Sequence, residues 1–77
     1  MEILVYFFGS LVDFTAKSEQ RFSGYADTDS LHAAIIAMHP VLGNKKYVIA
    51  VNQKTIQSNR PLNNGDVVAF MPAFSGG

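Results

Sequence analysis

The stretch PLNNGDVVAFMP, Pro61 to Pro72, joins a tight-turn signal directly to an apolar strand. Asn63, Asn64 and Gly65 tolerate positive φ, so Asn63-Asn64-Gly65-Asp66 predicts a tight turn that launches a last strand over Val67 to Met71. Alternation along that strand sets Val67, Ala69 and Met71 on one side and Val68 and Phe70 on the other. Neither side is polar, so the strand belongs inside a sheet with apolar side chains on both faces.

Working outward, EILVYFF (residues 2–8) is β-branched and aromatic and is bounded by Gly9-Ser10, a strand signal. Ile3, Val5 and Phe7 face one side; Leu4, Tyr6 and Phe8 face the other. Leu11 to Ser18 reads as a loop, followed by a short polar strand near Glu19 to Tyr25. Asp27-Thr28-Asp29-Ser30 offers N-cap side chains to a helix from Thr28 to Met38, whose stripe is Leu31, Ala34, Ile35 and Met38, and Pro40 stops it. A strand over Lys46 to Asn52 comes next, with Val48 and Ala50 on the side opposite Tyr47, Ile49 and Val51.

The order is β-β-α-β-(short element)-β, which predicts an α+β roll with one helix packed on one face of a mixed sheet. A single helix covers one face only. The other is expected to expose Leu4, Tyr6, Phe8, Val48, Ala50, Val67, Ala69 and Met71, a patch of the kind that marks a protein interface. Scattered surface apolar residues are the alternative.

Composition narrows the function classes. The 77 residues allow one domain; 48% are hydrophobic and only 16% charged, with zero formal net charge and no cysteine. Counterion-release binding needs many phosphate contacts, and Lys45-Lys46 is the single basic pair, so nucleic acid is not an expected partner. No apolar run approaches about 20 residues and the first residues lack a signal-peptide pattern, so neither a membrane nor secretion is expected and the location is read as cytoplasmic. His32 and His39 lie too far apart on the helix to share a metal ion and read as solvent-facing; no metal site is expected. Asp27 and Asp29 read as helix-capping residues. No nucleophile elbow or phosphate loop occurs, so a self-sufficient enzyme is not expected.

The end of the chain is the remaining candidate. Proline cannot donate a ladder hydrogen bond, and Gly76-Gly77 carry nothing to anchor them, so the sequence divides into a domain over 1–71 and an extended, flexible tail over 72–77. Extended, the tail reaches roughly 20 Å, far enough to enter a neighbour's active site. A Gly-Gly end fits a narrow channel and leaves its carboxylate open to attack an activated phosphate. Reaction with ATP would give an acyl-adenylate that a sulfur donor or an amine can trap.

With these features the chain resembles the β-grasp sulfur-carrier proteins, the family that includes the small subunit of molybdopterin synthase. The resemblance is carried by Phe7-Phe8-Gly9, Val51-Asn52-Gln53, His39-Pro40, the stretch Pro61 to Pro72, and Ser75-Gly76-Gly77. It implies a ubiquitin-like β-grasp with four or five strands and one main helix. It also implies a function: Gly77 is adenylated and then converted to a thiocarboxylate, which donates sulfur to cyclic pyranopterin monophosphate during molybdenum cofactor biosynthesis.

The implied partners are an E1-like adenylating enzyme that uses ATP, a sulfur donor system, and the large synthase subunit in an assembly of two small and two large subunits. No cofactor is implied on this chain, which is a non-catalytic subunit of a heteromeric sulfurtransferase. Phe74, Ser75 and Gly76 would lie in the partner's active site, and Leu4, Tyr6, Phe8, Val67, Ala69 and Met71 at the interface. Three positions depart from the family pattern: Ala73 stands where a second proline is common, Ser10-Leu11-Val12-Asp13 replaces a loop that commonly holds an Arg-Glu pair, and the second strand is atypical. A carrier for thiamin or tRNA thiolation, or a ubiquitin-like interaction module that is not a carrier, remain the alternatives.

Overall fold

A computed structural model describes residues 2–73 of the chain. Five strands, β1 (Glu2–Phe7), β2 (Glu19–Ser23), β3 (Tyr47–Val51), β4 (Lys54–Ile56) and β5 (Val67–Pro72), form one sheet in the order β2-β1-β5-β3-β4. The first and last strands are parallel neighbours at its centre, with Leu4 opposite Val67 and Phe7 opposite Phe70; the other pairs are antiparallel. This is the roll read from the sequence.

The turn before β5 forms as its residues require. Gly65 has φ +88°, the Asp66 carboxylate accepts from the Asn63 N–H at 2.8 Å, and the Gly65 N–H donates to the Glu2 carbonyl at 2.8 Å. Asn64 Oδ1 accepts from the Glu2 N–H at 2.7 Å, which fixes the register of β5 against β1 from the first residue.

Two helices, α1 (Val12–Thr15) and α2 (Thr28–Met38), connect the strands. Asp27 caps α2 by accepting from the Ser30 N–H at 2.9 Å, and bonds from Ser30 and Asn59 hold its carboxyl below the usual range. Leu31 and Ile35 bury against Ile3, Val5, Phe7, Val68 and Phe70 beneath the sheet, joined by Leu11, Phe22, Leu42 and Leu62.

Several local expectations need correction. The segment from Leu11 is not a loop throughout: a 3-10 turn (Gly9–Leu11) and α1 occupy much of it, because Leu11 and Thr15 bury and hold the chain against the core. Strand β2 stops at Ser23, where Gly24 takes φ +90°. Met38, placed on the apolar stripe, is half exposed, since α2 ends there and a 3-10 turn (Pro40–Asn44) supplies Leu42 to the core instead.

The short element between the last two long strands is β4. Asn52 and Gln53, at φ 49° and 73°, make the turn that folds it back on β3. Asn52 then stitches that turn to the start of β5, accepting from the Val67 N–H at 3.0 Å and donating to Asp66 at 3.0 Å.

Candidate functional site: the open sheet face and the root of the tail

The strand parity read from the sequence holds. Burial alternates along β1 and β5, with Ile3, Val5, Phe7, Val68 and Phe70 inward and Leu4, Tyr6, Val67, Ala69 and Met71 on the face away from α2. Register aligns them in rows: Tyr6, Ala69 and Ala50 lie side by side, Leu4 beside Val67, and Met71 beside Val48. Phe8, just past β1, is 48% exposed and its ring centre is 6.0 Å from that of Tyr6.

Ala50, expected to be exposed, is buried between Ala69 and Thr55. Small side chains therefore make a floor, and Tyr6, Phe8 and Met71 rise around it to enclose an open depression of about 380 Å³. Gln53 and Thr55 complete the rim; neither was foreseen, because their place depends on β4. The shape can seat an apolar protein surface, and among its described lining residues the Tyr6 phenol is the one ionisable group. Among the described residues no three His, Asp or Glu side chains gather as a metal site.

The root of the C-terminal segment lies on the same strand. β5 runs through Pro72, which stands opposite Tyr47, and the Ala73 N–H donates to the Lys46 carbonyl at 3.2 Å. The sheet thus extends past the 71/72 boundary set from the sequence. Pro72 costs it little because amides alternate along a strand: the Ala73 N–H faces β3, so the nitrogen of Pro72 faces the other side, past the end of β1, where no ladder bond is lost to β3. Phe74, Ser75, Gly76 and Gly77 lie outside the described residues.

The histidines are not the solvent-facing groups that the sequence suggested. His32 Nε2 is 2.6 Å from the Tyr47 hydroxyl, and its ring centre is 5.6 Å from those of both Tyr47 and Phe70. His39 has its ring edge toward Phe7, and its Nε2 is buried. The helix spacing carried no sign of either contact.

Burial pushes the His32 imidazole below its ordinary value, partly offset by Asp29, and pushes the Tyr47 phenol up. The unfolded chain therefore binds more protons than the folded one just below pH ~6.5, so stability rises with pH through this window and falls as the solution is acidified from neutrality. Asp27, with its depressed folded value, gives up stability only at lower pH, below the ordinary carboxylate value. Urea melts at pH 7.5 and 5.5 are expected to show this loss in the wild type and to lack most of it in His32→Gln, which keeps a polar partner for Tyr47 without the titration. An unchanged pH dependence in the variant would assign the loss to other groups.

The ThiS family matches residues 5–77. A molybdopterin synthase sulfur carrier subunit from Chlamydomonas reinhardtii is 39% identical over 83 residues, covering 100% of both chains. The solved complex of subunits 1 and 2 of the molybdopterin-converting factor from Helicobacter pylori contains a chain similar at TM-score 0.76 and 29% identity, with 100% of each covered. The small archaeal modifier protein 1 of Haloferax volcanii shares the fold at TM-score 0.77 with 17% identity, covering 95% of this chain and 98% of its own.

Proposed function

The chain belongs to the ThiS family, and from that premise we propose that it is the sulfur-carrier subunit of a molybdopterin synthase, working through a thiocarboxylate on Gly77. The observation that carries this reading is the continuity of β5. One strand supplies the outward residues Val67, Ala69 and Met71 and then, through Pro72 and Ala73, the root of the segment that ends in Gly76-Gly77. A partner seated on the face would lie on the strand from which that segment departs. The full-length similarity to a molybdopterin synthase sulfur carrier and to a chain solved with its second subunit supports the choice of pathway.

In this mechanism an E1-like enzyme holds the open face while the Gly77 carboxylate attacks the α-phosphorus of ATP, expelling pyrophosphate. A donor delivering sulfur at the sulfide level then attacks the acyl carbon and expels AMP, leaving the thiocarboxylate. Thiocarboxylate sulfur is a softer and better nucleophile than carboxylate oxygen. In the assembly of two small and two large subunits it attacks an oxygen-bearing carbon of cyclic pyranopterin monophosphate and displaces that oxygen. Hydrolysis of the resulting acyl–sulfur bond leaves the sulfur on the product and returns the Gly77 carboxylate, while burial in the large subunit shields the thiocarboxylate from earlier hydrolysis. Leu4, Tyr6, Phe8, Val67, Ala69 and Met71 meet the partner; Phe74, Ser75 and Gly76 thread its channel. Catalytic side chains come from the partners.

The test is chemical. After incubation with ATP, a molybdopterin-pathway adenylating enzyme and a sulfur donor, intact mass spectrometry is expected to show one oxygen replaced by sulfur at Gly77. No mass change rejects the carrier reading. The interface has its own test: Met71→Asp sets a charge on the face, and leaving that charge buried and unpaired in a complex costs about 2–5 kcal/mol, or about 30- to 4,000-fold in Kd. Binding to the large subunit is expected to weaken by that much while the variant melts near the wild-type temperature. Equal affinity would remove Met71 from the interface.

A further inference from the structure

The open face uses one side of β5, but it does not account for what grips the last two described residues. On one flank, Pro72 lies opposite Tyr47 and the Ala73 N–H bonds the Lys46 carbonyl at 3.2 Å. On the other, Gly9 backs onto the proline ring: a Cβ added to Gly9 would stand 3.1 Å from Pro72 Cγ and 3.5 Å from Cδ. The Phe8 N–H also donates to the Phe70 carbonyl at 3.0 Å, which ties the corner after β1 to β5 just ahead of the proline.

The flanks are joined. The chain runs from Gly9 into α1, where the ring of Phe14 has the Lys45 ammonium 4.5 Å from its centre, and Lys46 follows with its carbonyl on Ala73. Pro72-Ala73 is therefore held on both flanks by segments far apart in sequence.

We propose that these two flanks form a seat for the root of the C-terminal segment and that Gly9 is a positioning residue for sulfur delivery, acting through Pro72. Without a side chain at position 9 the proline ring lies against the corner after β1. The proposal rests on the carrier reading above. Three residues separate Ala73 from Gly77, so the root lies close along the chain to the reacting group. Transfer demands close geometry: a misplacement of about 1 Å far from the chemistry can cost about 100-fold in rate. An ordered root also lowers the entropy lost when the segment enters a channel.

Gly9 has φ +59°, a conformation that favours glycine by itself. A purely conformational role predicts that substitution acts independently of Pro72; the seat predicts that it acts through the ring. Gly9→Asn separates the two, because Asn tolerates positive φ yet carries a Cβ. The test charges wild type, Gly9→Asn, Pro72→Ala and the double variant with sulfur and measures single-turnover transfer at saturating large subunit, together with Kd and hydrogen exchange at the Ala73 amide.

Gly9→Asn is expected to slow transfer about tenfold and to speed Ala73 exchange, with Kd within about twofold of wild type. In the Pro72→Ala background the same substitution is expected to change little, since the space that the ring held is free. Additive effects, or wild-type transfer and exchange in Gly9→Asn, would overturn the seat. A wild-type protein that never gains sulfur would instead overturn the carrier reading, while exchange at Ala73 still decides whether Gly9 holds the root.

Discussion

A carrier truncated by Gly77 alone is expected to fold, to bind the large subunit and to deliver no sulfur. The strands, the core cluster and the open face are built from residues 2–73, all of which the deletion leaves in place. What changes is reach. One extended residue spans about 3.3–3.6 Å, and reacting atoms must approach to about 3–3.5 Å, with losses of about 100-fold for a misplacement of about 1 Å. Pulling the carboxyl back by a whole residue exceeds that tolerance several times over. Titration with the large subunit should give a Kd within about twofold of wild type, the melting temperature should not move, and product formation should fall to background. Full synthase activity from the truncated chain would locate the sulfur elsewhere.

The long elements were legible because they repeat. In β1 and β5, period-two alternation runs for six residues each, long enough to assign both the core side and the open side, and the Asn-Asn-Gly-Asp turn marks where β5 begins. Helix α2 announces itself by Asp27 and by the spacing of Leu31 and Ile35. The elements that escaped the reading, or that it placed without a type, offer no repeat to read. Helix α1 has four residues and β4 three, and the β3–β4 turn is Asn52-Gln53, without the glycine that usually signals such a turn.

At the candidate site the division follows distance along the chain. The face residues could be assigned strand by strand from parity, whereas each contact that escaped the reading joins remote segments: His32 with Tyr47, Phe14 with Lys45, Gly9 with Pro72. Gln53 and Thr55 on the rim depend on β4 in the same way. Position 73 shows the limit most plainly. In the sequence, Ala73 only stands where a second proline is common; in the fold its N–H, which a proline would lack, holds the chain to Lys46.

Phe70→Ala is expected to bring the domain close to unfolding. Phe70 is 1% exposed on the strand between β1 and β3, with ring centres of Phe7, Tyr47 and His32 at 5.5, 5.3 and 5.6 Å. Its neighbours in register, Phe7 and Ile49, are held by their own strands, so they cannot easily collapse into the space that the ring vacates. Truncating a buried Phe costs about 3–5 kcal/mol, from a total of roughly 5–15 kcal/mol for a domain. In a chain this small each kcal/mol moves the melting temperature by about 4–8 °C. Phe70→Leu, which refills most of the volume, should cost much less.

Because Ala69 and Met71 flank Phe70 on the opposite face, loss of the ring should also weaken partner binding, by removing folded protein and not by removing a contact. Urea melts and partner titrations of Phe70→Ala and Met71→Asp separate these effects: the first should lower stability and recover affinity once corrected for the folded fraction, and the second should lower affinity with stability intact. A cost below about 1 kcal/mol for Phe70→Ala would mean that the ring cluster is not what holds β5 between β1 and β3.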